Sequence, residues 1–140
     1  MQQKDRWPML IAVILILPFL LLIGSFRYRV NYAKTEVITS VSDDGKHALT
    51  VYMIGEPDWP FGATHCRFDL WDGSKRIAKE PFSIHDDGAA ASKNNFAITW
   101  QEDRVEILVT ASEQPDELCT IYFDGMVGWM KKDKDRKSVV

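Results

Sequence analysis

EVITSVSDDGKHALTVYMI, residues 36–54, is two alternating runs joined by a short acid-and-glycine segment. In the second run Leu49, Val51 and Met53 recur at every other position, the period at which a strand presents one face to a core. SDDG (Ser42–Gly45) supplies turn chemistry between the two runs, so the stretch reads as a β-hairpin. The same grammar continues downstream. THCRFDLW (Thr64–Trp71), the turn DGSK, and RIAKEPFSI (Arg76–Ile84) form a second pair, in which Pro81 restricts the strand to an edge or breaks it. NFAITW (Asn95–Trp100), RVEILVT (Arg104–Thr110) and LCTIYF (Leu118–Phe123) follow, separated by QED and by the polar ASEQPDE (Ala111–Glu117). These runs predict an all-β domain, an antiparallel β-sandwich or open barrel of about seven strands.

Alternation also predicts the core. Leu49, Val51 and Met53 share a face, as do Cys66, Phe68 and Leu70; then Phe96, Ile98 and Trp100; then Val105, Ile107 and Val109; then Cys119, Ile121 and Phe123. Both cysteines fall on these inward faces. They read either as a disulfide, Cys66–Cys119, that closes a loop of about 50 residues, or as two buried free thiols. Trp71 follows Cys66 too closely, and Trp100 too distantly, for the immunoglobulin spacing.

Ahead of this domain runs WPMLIAVILILPFLLLIGSF, Trp7–Phe26, without a charge. As a helix, 20 such residues reach about 30 Å, the thickness of a bilayer's hydrocarbon core. The run predicts a single transmembrane helix that engages the lipid bilayer through residues 7–26. A cleaved signal peptide is the rival reading, but Leu22 and Ile23 stand where cleavage wants small side chains. No cysteine follows the run to carry a lipid. Trp7, Tyr28 and Tyr32 suit the two interfaces, with Arg27 and Arg29 reaching headgroups. Basic residues flank the span on both sides, so charge alone does not orient it. The short amino-terminal tail, held inside, leaves the main domain extracytoplasmic, at the cell membrane.

The net charge of −3 conceals an uneven distribution. Residues 1–34 carry five Lys/Arg and one acid, and KKDKDRK (131–137) five and two, whereas residues 35–130 carry seven basic and 17 acidic side chains. An acidic body disfavours nucleic acid as a partner, while a basic tail is drawn to anionic surfaces. Three segments follow: a tail, helix and juxtamembrane stretch at 1–34, a β domain at 35–125, and a basic, disordered tail at 126–140.

Catalytic and metal signatures are weak. No G-x-S-x-G elbow, S-x-x-K pair or glycine-rich phosphate loop occurs. His47, His65 and His85 lack a second ligand at metal spacing, and HDDG and SDDG lack the alternating acids of a calcium loop, so no metal and no cofactor is expected. More distinctive is GEPDWPFGATHC (Gly55–Cys66), where Pro57 and Pro60 stiffen the backbone around Trp59. Trp59 and Phe61 either fold down as a lid over the core or stand out as a rigid contact for a partner. With the second long loop, HDDGAAASKN (His85–Asn94), this nominates Asp58, Trp59, Phe61, His85 and Asp86 as binding residues.

On SDDGKHALTVYM (Ser42–Met53), the GEPDWPFGATHC loop and YFDG (Tyr122–Gly125), the chain resembles a family of small bacterial proteins without assigned function. These carry one amino-terminal anchor and one β-rich domain. The resemblance implies an address and a shape, and it assigns no site residue. The expected function is a binding module at the cell envelope, with a protein or envelope polymer as partner. A structural subunit of a membrane complex is the alternative, and a small hydrolase a distant one.

Overall fold

The computed structural model describes residues 6–132. Lys4 and most of the basic tail lie outside the described residues. Helix α1 spans Trp7–Asn31, with Pro8 in its first turn, where a missing N–H costs nothing, and Pro18 inside it. None of its residues is buried against the rest of the chain, and it is long and apolar enough to cross a membrane.

Eight strands follow: β1 (Lys34–Val41), β2 (His47–Ile54), β3 (Thr64–Asp72), β4 (Lys75–Ile84), β5 (Phe96–Trp100), β6 (Arg104–Ala111), β7 (Gln114–Tyr122) and β8 (Val127–Lys131). They form two antiparallel sheets, each of consecutive strands, β1-β2-β3-β4 and β5-β6-β7-β8. The expected strand count of seven is thus one short. The missing strand is β8, which occupies the start of the segment read as a disordered tail from 126 and pairs Val127–Lys131 with Ile121–Glu117 of β7. Its indole anchor explains why it folds: Trp129 lies 5.7 Å from the Phe82 ring and 6.1 Å from that of Phe68, and its Nε1–H donates to Glu80 Oε1 at 2.9 Å. The polar segment 111–117 is also shorter than it reads, because Ala111 pairs with Gln114 and β7 starts there. Pro81 sits on β4, an edge strand, the position in a sheet where proline is tolerated.

Alternation places the core as expected. Leu49, Val51, Cys66, Phe68, Leu70, Phe96, Val105, Ile107, Val109, Cys119 and Ile121 are buried, and Ile98, Trp100 and Phe123 pack against them half-buried. Met53, at the open end of β2, is only half-buried. Each fully buried large apolar side chain contributes roughly 1.5–3 kcal/mol. The two sheets pack against each other through side chains of β3 and β4. Glu80 on β4 meets Trp129 on β8, and two residues later Phe82 meets Phe96 on β5, 5.9 Å between rings. Phe82 also lies 5.7 Å from Trp129, so β4 packs against both β5 and β8.

Cys66 and Cys119 face this core from different sheets as free, buried thiols, so the disulfide considered from the sequence is not formed. Burial pushes the Cys66 thiol up to about 12 and raises Cys119 as well, which keeps both protonated at neutral pH.

Candidate functional site

The strand register sets the ends of the first sheet. Lys34 pairs with Ile54, and Thr64 with Ile84, so the start of β1, the end of β2, the start of β3 and the end of β4 share one end. That end adjoins α1, which hands the chain to β1 within three residues. Both long loops, Gly55–Ala63 and the segment after Ile84, issue from it.

The first loop is fastened at its base to the helix. Gly55 N–H donates to Ala33 O at 2.8 Å, and Glu56 N–H donates to Val30 O at 2.6 Å. Only glycine fits the first of these positions. Its φ is +69°, and a Cβ would lie 2.2 Å from Val30 O. The loop then closes on itself, with Asp58 N–H donating to Ala63 O at 3.0 Å and Gly62 N–H to Asp58 O at 2.7 Å. Its tip carries the cis Trp59–Pro60 bond.

Trp59 is 92 % exposed and Phe61 72 % exposed. The lid reading is corrected by this: the loop backbone is held while both rings stand clear of the core. The core beneath is already filled by Phe68, Phe82 and Phe96, which pack ring against ring.

Asp58 is turned back toward the sheet. Its Oδ2 lies 3.0 Å from His65 Nε2, and His65 Nδ1 lies 3.1 Å from Ser83 Oγ. In the sequence His65 carries only a weak metal-ligand signal and Ser83 none, because they lie 18 positions apart. The three side chains line up as carboxylate, imidazole and hydroxyl beside an open cavity of ≈ 460 Å³ over Ile54, Arg67, Pro81 and Phe82. Such a chain can pass a proton. Here, however, the His65 and Asp58 side chains are 50 % and 57 % exposed, so water competes for each bond and the polarity of the site stays that of solvent. The observed effect of the pair is to tie the loop to β3.

The second loop lies beside the first. Thr64 Oγ1–H donates to Ala89 O at 2.9 Å, and a Cβ on Gly88 would sit 3.1 Å from Phe61 Cα. Its own polar groups are consumed internally. His85 N–H donates to Gln114 Oε1 at 2.7 Å, and Glu113 N–H to His85 O at 3.1 Å. Asp86 Oδ1 accepts from Ser112 N–H at 2.9 Å, which with the Ser112 hydroxyl and Asn95 holds its carboxyl below the usual range. Buried Asn95 donates to Thr110 O at 2.8 Å and accepts from Ser92 N–H at 2.9 Å, closing a 3-10 turn at Lys93–Asn95. Asp86 is therefore a structural acceptor at the β6–β7 turn, and His85 contributes its backbone there while its side chain is exposed.

Two other acids are accounted for by their neighbours. Asp69, 1 % exposed, takes a fork from Arg67 at 2.7 and 2.8 Å, with Arg76 at 3.6 Å. Asp44 accepts from Ser42 Oγ at 2.6 Å and from Lys46 N–H at 3.0 Å, which makes SDDG the turn it reads as. Among the described residues no three His, Cys, Asp or Glu side chains converge as a metal site. Of the five nominated residues, Asp58, Trp59 and Phe61 remain as one displayed loop. Compared with protein-family models, curated proteins and solved structures, the chain matches none.

Proposed function

We propose that this protein is a single-pass membrane-anchored β domain that acts as an interaction module at the membrane surface, with the Gly55–Ala63 loop as its contact element. α1 is the anchor, and the domain lies on the extracytoplasmic side, at the cell envelope. The observation that carries this reading is the exposure of Trp59 and Phe61, 92 % and 72 %, on a loop whose backbone is fixed at both ends. An exposed aromatic pair gains burial when it meets a partner, and a loop already held loses little entropy in doing so. Among the described residues from β1 onward the next most exposed aromatics, Tyr122 and Trp129, are each 37 % exposed, so Trp59 and Phe61 are the pair with the most apolar surface left for contact.

The test places a photoactivatable phenylalanine analogue at position 59 of the full chain in cells, with Ser74, an exposed turn residue on β3–β4, as the control site. Adducts at 59 that are missing at 74, whether to protein, polymer or lipid, are the expected result. In parallel, Trp59→Ala leaves the denaturation midpoint of the purified protein unchanged within about 0.5 kcal/mol, as for a surface side chain. Equal labelling at both sites overturns the contact reading. A loss of about 3 kcal/mol in the variant restores the lid.

A further inference from the structure

The contact loop and the end of α1 form one unit, and the helix supplies a ruler for where that unit sits. The uncharged run ends at Phe26, while α1 continues to Asn31 through Arg27, Tyr28 and Arg29. At 1.5 Å per residue, Val30 stands only about 6 Å past the last residue of the run. The loop hangs from this point, because Glu56 N–H donates to Val30 O. Glu56 shares a cavity of ≈ 350 Å³ with Leu22, Ser25, Phe26, Arg29 and Val30. Leu22 and Phe26 belong to the uncharged run, so the base of the loop borders the end of the apolar span.

Trp59 and Phe61 follow within five residues. Of the loop's two acids, the Asp58 carboxylate points back to His65 at 3.0 Å, and Glu56 sits at the loop's base in the cavity it shares with Arg29, at the level where charged side chains reach headgroups. Tyr28 on the helix and Tyr32 just past its end, 6.3 Å apart between rings, bracket Val30, from which the loop hangs. Tryptophan and tyrosine collect at this depth because an aromatic body and a polar N–H or O–H suit the boundary between acyl chains and headgroups.

We infer that the partner of the Trp59–Phe61 loop is the bilayer that holds α1, with both rings seated at the headgroup–acyl boundary. This rests on the reading of α1 as an anchor and of the loop as a contact element. A helix alone lets a domain swivel; a second foothold beside it fixes the domain's attitude. The end of the first sheet bearing Ile54, Thr64 and Ile84 then faces the membrane. The opposite end, with the Ser42–Lys46 and Gly73–Ser74 turns, faces away.

The experiment uses the full chain in phosphatidylcholine liposomes, with or without phosphatidylcholine brominated at positions near the headgroup. The emission of Trp59 is the difference between wild type and Trp59→Phe, a conservative change at an exposed site. Brominated lipid is expected to remove most of that emission while aqueous iodide leaves it, and in the Trp59→Phe background Phe61→Trp is expected to restore a lipid-quenched signal. Quenching of Trp59 by iodide and not by brominated lipid overturns the inference. So does protection from both, which would place the ring against protein or a second copy. Only lipid is present here, so either failure leaves the cellular cross-linking result, and with it the broader contact reading, to be judged separately.

Discussion

The two long loops leave the same end of the sheet, touch each other at Phe61 and Gly88, and use their residues in opposite ways. Gly55–Ala63 satisfies its polar groups through backbone bonds at its base and neck, which frees its largest side chains to face outward. The His85–Asn94 loop is longer and has no large apolar side chain. It spends its polar side chains on sewing itself to the β6–β7 turn through Asp86, Asn95 and Gln114. A loop's composition therefore does not tell whether it is a site. What decides is which of its groups are still unspent after the fold has taken what it needs.

That contrast is open to direct attack. The largest effect is expected from Gly55→Ala, where a Cβ meets Val30 O and the backbone must hold a φ of +69°. The change should cost about 3 kcal/mol in the denaturant midpoint, strain and steric displacement together, and should also release Trp59 from brominated lipid. An unchanged midpoint would mean that the loop is not seated on the helix, and the contrast between a held loop and a sewn loop would collapse.

Asn95→Ala comes next. It removes the partners that the buried Asn95 side chain supplies to Thr110 O and Ser92 N–H, and about 2 kcal/mol should be lost. Hydrogen exchange of the Ser92 amide would then locate the loss in the second loop. A uniform loss across both loops would show that they are one cooperative unit.

Asp86→Ala is the smallest, about 1 kcal/mol at neutral pH because the carboxylate is largely hydrated. Its pH dependence sharpens the point. The folded pKa lies below the ordinary 3.8, chiefly through the Ser112 N–H, so the stabilisation is present above that value and fades as pH falls through the folded pKa. Wild type and variant should differ at pH 7 and converge in strong acid. A gap that persists below the folded pKa would assign the effect to packing and not to charge.

Much of the scaffold is legible in the residues. Leu49 and Val51, Cys66 to Leu70, and Val105 to Val109 are buried as their alternation requires, because a period of two leaves a strand no other way to face a core. The SDDG and DGSK turns are local chemistry and stand where they read. β8 was missed for a reason that is also physical. Val127 and Trp129 do alternate, but in a strand of five residues beside a basic tail, and only the partner rings of Phe68 and Phe82 give Trp129 something to pack against. The candidate site was half visible. Trp59 between two prolines stood out, whereas its direction depended on whether the core below had room.

Sequence by itself determined the apolar helix, the antiparallel strands, their inward faces and the turns that join them, since each follows from chemistry within a few residues. The tertiary structure alone decided what those faces bring together. Extended from Asp72 opposite Lys75 and Trp71 opposite Arg76, the β3–β4 register would set His65 against Phe82; one extra residue, Ile77, enters as a bulge, and His65 meets Ser83 instead while Phe82 turns inward opposite Cys66. In the same way, the seating of Gly55 on Val30 joins residues 25 positions apart and fixes the base of the loop that carries Trp59. Neither the bulge nor that seat has a local signature, because both are set by how two sheets and a helix end share space.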